Sequence, residues 1–271
     1  MGDGVRSRVL TRVLPGGNMT HVPDEVAPGV HRVGDALVNF YLVETGEGLV
    51  MVDAGLPAHS GRFLDAVAWV GGRLRAVVLT HAHPDHTGLA ERARDKAGAR
   101  VWVHEADAPI LADGPTSSVV HARPERPLLP YLARYPAAVQ ALLRLGHGGA
   151  FTADRVSEFS VFGDHEVLEE VPGRPRVVPA PGHTPGSVLV VFEDRGVAFT
   201  GDALVTIDPS TGSEGPRVVS RMSTHDSARA LESLEGLATL PEGSLLLPGH
   251  GAPFTEGPRV AMIRARATGV R

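Results

Sequence analysis

The chain contains no cysteine, and aromatic residues make up only 5% of it. Without cysteine there is no disulfide framework, thiolate zinc finger, iron–sulfur cluster or cysteine nucleophile. Any bound metal must therefore be held by imidazole and carboxylate groups. The chain has 13 histidines, an unusual number that makes such a site worth searching for.

Long apolar runs and an excess of positive charge are also missing. No run approaches the ~20 residues that span a bilayer, and the first 20 residues hold only short apolar pairs such as Val9-Leu10. We therefore expect no export signal. The net charge of −5 over 271 residues gives no basis for nucleic-acid binding. The sequence predicts a cytoplasmic protein that acts on a small molecule and binds neither nucleic acid nor membrane. Whether it forms a homodimer is left open.

Short apolar runs predict β-strands along the whole chain. They cover residues 36–43, 49–52, 76–80, 100–103, 176–180, 188–192, 197–200 and 244–247. Several show no alternation, which is typical of strands buried on both faces. Helical spacing predicts helices over 63–70, ending at Gly71, over 89–97, capped by Thr87, and from about 226 to 237. Because strands and helices alternate in both halves, the pattern favours a layered α/β fold.

The middle of the chain is rich in proline and has no strand pattern. Apolar residues between Leu128 and Leu143 follow helical spacing, and Pro136 must break or kink that helix. We expect two short helices in an insertion at about 108–158 of a single domain, 1–271. The apolar face, with Tyr131, Tyr135 and Phe151, either covers the active site as a lid or packs on the fold. Apolar helical faces usually pack on a core, which favours packing.

A cluster of polar residues, His81-Ala82-His83-Pro84-Asp85-His86, follows the strand predicted to end at Thr80. On an extended strand end, His81 and His83 point to the same side. A turn at Pro84 then directs Asp85 and His86 towards a second centre. Four nitrogen and oxygen ligands in six residues suit zinc, with iron or manganese as the other candidates.

Three further polar residues follow apolar runs in the same way. His183, Asp202 and His250 each lie next to a glycine, which lets the backbone approach a metal closely. With the first cluster they give five histidines and two aspartates, enough for two adjacent metal ions. Asp53, which ends another strand, is interpreted as a carboxylate that supports the ligands or caps a helix.

These residues together resemble the metal-binding motifs of the metallo-β-lactamase-fold superfamily, and in particular its glyoxalase-II-type and lactonase members. The resemblance covers roughly residues 30–253. It implies a four-layer αββα sandwich with two metal ions at one edge of the two sheets. It also implies how the ligands divide: His81, His83 and His183 to the first metal, Asp85, His86 and His250 to the second, and Asp202 bridging both.

Two zinc ions, two carboxylates and a bridging hydroxide give a net charge of about +1. We therefore expect a zinc-dependent hydrolase whose metal-bridging hydroxide attacks an ester-like bond, in a thioester, lactone or ester. Asp85 is the candidate catalytic residue, since it would orient the hydroxide and relay its proton. Replacement of His81 and His83 by alanine is expected to remove metal and activity together.

Several members of the superfamily fit less well. β-Lactamases of this fold generally lack the bridging carboxylate that Asp202 supplies, and many lactonases carry a tyrosine where this chain has Val205. No glutathione-binding element of glyoxalase II is apparent. Two alternatives stay open: a mononuclear iron-dependent dioxygenase of the same fold and a non-catalytic metal-binding protein. Substrate contacts stay unknown; His121 and His147 of the insertion are the remaining histidines to consider.

Overall fold

The computed structural model describes residues 20–271, so the expectation of no export signal lies mainly outside the described residues. The strands in this range are β1 (Asp24–Ala27), β2 (Val30–Gly34), β3 (Asn39–Thr45), β4 (Gly48–Val52), β5 (Leu74–Val78), β6 (Arg100–His104), β7 (Ser160–Phe162), β8 (Arg176–Pro179), β9 (Val188–Phe192), β10 (Val197–Gly201), β11 (Val205–Asp208), β12 (Ser213–Arg217) and β13 (Leu245–Pro248). The α-helices are α1 (Ser60–Val70), α2 (Pro84–Thr87), α3 (Ala90–Ala97), α4 (Ala108–Asp113), α5 (Ser118–His121), α6 (Leu129–Arg134), α7 (Pro136–His147), α8 (Ser227–Ser233) and α9 (Pro258–Thr268). Short 3-10 helices span Pro57–His59, Glu105–Asp107, Ala150–Thr152, Glu193–Arg195 and Leu234–Thr239.

Two sheets form the centre of the fold. The first contains β1 to β7 in sequence order, with β4 to β7 mutually parallel, and the second has the order β13-β10-β9-β8. β11 and β12 form a separate hairpin. Because side chains alternate along a strand, Phe40 and Leu42 of β3 face one core while Tyr41 and Val43 face another.

Three apolar cores separate four layers. The first lies between the large sheet and α1, α3 and α4, with Phe63 and Ala93 among its members. The second lies between the two sheets and includes Val190 and Phe199. The third lies between the small sheet and the helices near the carboxyl terminus, where Leu237 is buried. The predicted α/β fold, a four-layer αββα sandwich, is confirmed.

Several local predictions need correction. Thr87 does not cap the following helix: α3 has Leu89 at its N-cap with no side-chain bond, and the Thr87 hydroxyl donates to the His83 carbonyl within α2. Four α-helices, not two, lie between β6 and β7. Pro136 does break the helical pattern, since it begins α7 directly after α6. Gly71 ends α1 as expected. The helix expected from about 226 begins after its N-cap Asp226, but it continues as a 3-10 helix beyond Ser233.

Among residues 20–271, no helix is both long enough and apolar enough to cross a membrane.

Candidate metal centre

The predicted site residues meet at one edge of the two sheets, each beyond the carboxyl end of a strand. Asp53 follows β4 and residues 81–86 follow the parallel neighbour β5. His183 and Asp202 follow β8 and β10, while His250 follows β13, which is parallel to β10. Parallel strands bring their carboxyl ends together, which explains why residues far apart in sequence share this edge.

Two neighbouring groups of three side chains share no residue, and a third set, Asp53, His81 and His86, overlaps both. His81, His83 and His183 offer nitrogen atoms that lie within 4.8 Å of one another. Within this group His83 Nδ1 lies 2.8 Å from His183 Nε2. Asp85, His86 and His250 form the second group under the same distance limit. Each group has the size and the donor types of a divalent-metal site.

Asp202 lies between the two groups. Its Oδ2 is 3.4 Å from His183 Nε2 and 3.1 Å from His250 Nε2. Its Oδ1 is 3.5 Å from His86 Nε2. A carboxylate that faces both groups is placed to bridge two metal ions, and the fold and this geometry together define a dinuclear metal site.

Unsatisfied buried atoms show that the residues fit metal ions. His81 Nε2, His86 Nε2 and Asp202 Oδ1 are buried, and none has a hydrogen-bond partner within the described residues. Buried polar atoms normally have partners because an unpaired one costs free energy. All three atoms are potential metal ligands, two in the groups and one on Asp202 between them, and coordination would satisfy them.

The electrostatics of the site favour positive charge. Burial alone would lower the pKa of His86, but Asp85, Asp202 and Asp53 together raise it to about 10. Burial likewise opposes charge on His250, whose pKa Asp202 nevertheless raises to about 9. The aspartates thus produce a field that a cation stabilises. Divalent metal ions carry the charge that this field requires.

The first histidine group is electrically neutral. Burial lowers the pKa of His81 and of His183 well below its ordinary value, and the neighbouring histidines add to the effect. A histidine must be neutral to donate a lone pair to a metal. Both side chains are therefore in the ligating form near neutral pH.

Asp53 orients two of the histidines. Its carboxylate accepts hydrogen bonds from the Thr80 amide at 2.8 Å, from the Thr80 hydroxyl, and from His86 Nδ1 at 3.0 Å. Because the Thr80 hydroxyl donates to Asp53, its oxygen is free to accept from His81 Nδ1, 3.1 Å away. These bonds direct Nε2 of His81 and His86 towards the site, where a metal ion would take the place of a proton on His86. Asp53 thus contacts His86 directly and His81 through Thr80, and it caps none of the helices within residues 20–271; its φ is positive, at 58°.

His250 is oriented by the backbone. Its Nδ1 donates to the Leu37 carbonyl, which leaves Nε2 to face Asp85 and Asp202. Leu37 lies in a turn that Asp35 stabilises, since Asp35 accepts from the amides of Leu37 and Val38. The orientation of this imidazole is therefore set by a loop of the large sheet.

Asp107, which no sequence motif indicated, is a fully buried carboxylate at the end of the 3-10 helix after β6. It accepts from the Ala82 amide at 2.9 Å, the Thr184 hydroxyl at 2.7 Å and the Gly186 amide at 2.7 Å. Ala82 lies between two histidines of the first group, and Thr184 follows the third. Asp107 therefore ties together the two loops that carry this group, although no motif marks it in the sequence.

Glycine is required where the backbone approaches the site most closely. A Cβ atom at Gly249 would lie 2.4 Å from Asp202 Oδ1 and 2.6 Å from His86 Cε1. At Gly201, where φ is 46°, it would lie 2.2 Å from Thr80 Oγ1. The glycines beside Asp202 and His250 are thus needed for packing around the metal ligands.

A cavity of about 780 Å³ opens above the two groups, and His83, Asp85, His183, Asp202 and His250 line its floor. The insertion forms much of its wall, through residues such as Val119, Leu128, Leu142, Leu145 and Phe151.

Other residues of the insertion point elsewhere. The Tyr131 hydroxyl donates to the Arg271 carbonyl, and Tyr131 packs against Tyr135; neither tyrosine lines the cavity. His121 pairs with Asp113 and His147 donates to the Leu143 carbonyl. The insertion thus both packs on the fold and lines the cavity.

Comparison with known proteins identifies the family. The model of the metallo-β-lactamase superfamily matches residues 33–250, and the chain belongs to this superfamily. It is a metal-dependent hydrolase by class, as are relatives named as metallo-hydrolases. The probable metallo-hydrolase YflN of Bacillus subtilis is 26% identical over 252 residues, which cover 85% of this chain and 87% of that protein.

A second relative is the hydroxyacylglutathione hydrolase of Cereibacter sphaeroides, 30% identical over 193 residues, or 71% of this chain and 54% of that enzyme. Among solved structures, TTHA1623 in a di-iron-bound form has a TM-score of 0.58 and 26% identity, covering 84% of this chain and 95% of that one. The metallo-β-lactamase family protein TTHA1429 of Thermus thermophilus has a TM-score of 0.61 and 26% identity, covering 89% of this chain and 79% of that one.

Proposed function

We propose that this protein is a dinuclear-zinc hydrolase that cleaves an ester-like bond in a small molecule. The observation that carries the proposal is Asp202, which faces both groups of ligands and leaves a buried oxygen to be satisfied. The cavity above it has a volume typical of a small-molecule site. The proposal treats residues 1–271 as one catalytic domain with a helical insertion at about 108–158, and the cytoplasm as its place of action.

In this proposal each ligand has a role. His81, His83 and His183 would hold the first ion, Asp85, His86 and His250 the second, and Asp202 both. A divalent pair would supply Lewis acidity and lower the pKa of water towards neutrality.

The chain's own groups provide the remaining chemistry. The Asp85 carboxylate lines the cavity and is 15% exposed, unlike the more deeply buried Asp202. It can therefore accept a proton from water and pass it to a leaving group in the cavity. Asp53 and the Leu37 carbonyl occupy Nδ1 of His86 and His250, so Asp85 is the group in the cavity that we assign to proton transfer.

Metal analysis together with a hydrolysis screen tests the proposal. Protein purified without added metal is analysed for zinc, iron and manganese, then assayed with thioesters, lactones and aryl esters. We expect two zinc ions per chain and hydrolysis of at least one of these classes. One iron with oxygen consumption would show the dioxygenase alternative, and full metal occupancy without turnover of any substrate would show a non-catalytic protein.

A double variant links metal to activity. His81→Ala/His83→Ala removes two of three ligands of the first group and is expected to lose metal and turnover together. His147→Ala is the matched control, since its exposed side chain donates to the Leu143 carbonyl and lies outside the cavity. Full turnover in the double variant would contradict the proposal.

A further inference from the structure

The lining of the cavity combines apolar and cationic residues, which bears on the substrate. α7 and the segments just before α6 and just after α7 contribute an apolar wall that includes Leu128, Leu142 and Phe151. The loop 122–127 between α5 and α6 brings Arg123 and Arg126 to the lining. The candidate metal ligands form the floor.

The two guanidinium groups are available to a ligand. Both arginines are exposed, and neither side chain has an ion pair or hydrogen bond with another of the residues that the structure describes. Beyond Asp85 and Asp202 on the floor, the acidic residue that lines the cavity is Glu125. Glu125 accepts from the amide and hydroxyl of Ser227 and lies 3.7 Å from Arg221 Nε. The rim therefore has uncompensated positive charge.

The loop that bears these arginines is held firmly. The amides of Glu125 and Arg126 donate to the carbonyls of Thr224 and Arg221, and the Arg123 carbonyl accepts from His225 Nδ1. Prolines at 124 and 127 restrict the backbone further. Order in this loop reduces the entropy lost when a ligand binds.

The segment 221–225, which bonds to the arginine loop, also contacts a candidate metal ligand. The His225 amide donates to the His183 carbonyl, and Thr224 Oγ1 lies 3.5 Å from His183 Nδ1. The arginine loop and the first group of histidines are thus attached to one piece of backbone. Their relative position is fixed by the fold, as a site that binds both ends of one substrate requires.

We propose that the substrate is an amphipathic acyl ester or thioester, with an apolar acyl chain against the apolar wall and an anionic leaving group at Arg123 and Arg126. This inference rests on the proposed hydrolase function and specifies its substrate class. In the reaction, the oxygen of water bonds to the acyl carbon and the C–S or C–O bond breaks. One proton of water goes to the leaving sulfur or oxygen, and a carboxylic acid is released with the anionic alcohol or thiol.

Three thioesters with the same octanoyl group test the anionic end. Octanoyl-coenzyme A carries phosphates, S-octanoylglutathione carries carboxylates, and S-octanoyl-N-acetylcysteamine is neutral. We expect a higher kcat/KM for at least one anionic thioester than for the neutral one. In Arg123→Gln/Arg126→Gln the ratio of anionic to neutral kcat/KM should fall about tenfold or more, mainly through KM, because charge-assisted contacts are lost. Arg92→Gln, an exposed arginine on α3 outside the cavity, is the control.

Two adjacent leucines of α7 test the apolar end. Leu142 lines the cavity, whereas Leu143 does not line it and is 55% exposed. Leu142→Ser is expected to lower the ratio of octanoyl to acetyl turnover severalfold, and Leu143→Ser to leave that ratio as in the wild type.

The outcomes separate the two proposals. No hydrolysis of any thioester, lactone or aryl ester by the two-metal protein would contradict the hydrolase function itself. Hydrolysis with equal kcat/KM for neutral and anionic thioesters, unchanged by the arginine substitutions, would overturn the substrate class alone. The two anionic probes distinguish a phosphate from a carboxylate as the recognised group.

Discussion

The Thr184 hydroxyl donates a 2.7 Å hydrogen bond to the buried carboxylate of Asp107, 77 positions earlier in the chain. The same carboxylate accepts from the Ala82 amide, so one side chain joins the loops that carry His81, His83 and His183. Asp107 lines neither the cavity nor either group of ligands. Its contribution to the site is to hold ligands in place.

Asp107→Asn tests this role. The asparagine side chain has one acceptor oxygen, whereas the carboxylate of Asp107 has two. At least one of the three buried donors therefore loses its hydrogen-bond partner. We expect zinc affinity to fall about 10- to 100-fold, as is typical when support of metal ligands is removed. Competition with a chromophoric chelator measures the affinity. Asp113→Asn, which alters an exposed carboxylate bonded to His121, should retain wild-type affinity. Unchanged affinity in Asp107→Asn would contradict the role.

Gly249→Ala is expected to disturb the site with little effect on the rest of the fold. The added Cβ would lie 2.4 Å from Asp202 Oδ1, so the bridging carboxylate must move. Displacement of a catalytic group by about 1 Å can cost about 100-fold in rate. We expect fewer than two metal ions per chain by elemental analysis and a comparable loss of kcat. Gly243→Ala is the control because nothing lies within 4 Å of its Cβ position. Two bound ions and normal kcat in Gly249→Ala would count against this packing argument.

Removal of the metal should lower thermal stability. Metal that binds the native state at a thousandfold excess over its Kd adds about 4 kcal/mol to the free energy of unfolding. For a domain of this size we expect EDTA to lower Tm by roughly 10 °C, and zinc to restore it. Circular dichroism melting measures the shift. His81→Ala/His83→Ala should respond much less to either reagent; an equal response would place the stabilising metal elsewhere.

Glu91 is expected to make stability depend on acid pH. Hydrogen bonds from Arg94, aided by Ser157, lower the pKa of Glu91 to about 2 from an ordinary value of 4.5. A depressed folded-state pKa stabilises the protein above the unfolded-state pKa, and this contribution is lost as pH falls through about 4.5 towards 2. Glu91→Gln should therefore show a smaller loss of unfolding free energy between pH 5 and pH 3.

Urea denaturation at several pH values checks the Glu91 effect. Glu47→Gln, which changes an exposed glutamate at the turn between β3 and β4, should show the pH dependence of the wild type. The same slope in Glu91→Gln as in the wild type would show that this carboxylate does not contribute.

The buried strands were predictable because their environment is uniform. β4, β9, β10 and β13 lie in the interior of the sandwich, so nearly every position is apolar and the run is visible without alternation. The hairpin strand β12 was missed because Ser213, Glu214, Gly215 and Pro216 show neither pattern. α9 was missed for a related reason: three arginines lie on it and its buried face consists of Pro258, Ala261 and Ala265.

The candidate ligands could be recognised from the sequence. Each follows an apolar run that predicts a strand, and each lies beside a glycine or another potential ligand. All seven predicted ligands meet there, with Asp53 behind them. Asp107 and Thr80 were not recognisable. Their importance depends on partners that tertiary folding brings near, and local sequence spacing does not predict such contacts.

The cavity wall was only partly predictable, since the direction in which a helix faces depends on packing: Leu142 lines the cavity, whereas the Tyr131 hydroxyl bonds to Arg271.

The apolar wall and the arginine loop lie between β6 and β7, whereas the metal ligands follow β5, β8, β10 and β13. Under the proposed function, much of the apolar wall and both arginines are thus encoded in a stretch of the gene that holds none of the seven candidate ligands. Substitutions or length changes within residues 118–151 can alter which molecules are accepted while every ligand codon stays the same. Directed evolution of new specificity can therefore randomise this one stretch and keep the hydrolytic machinery intact.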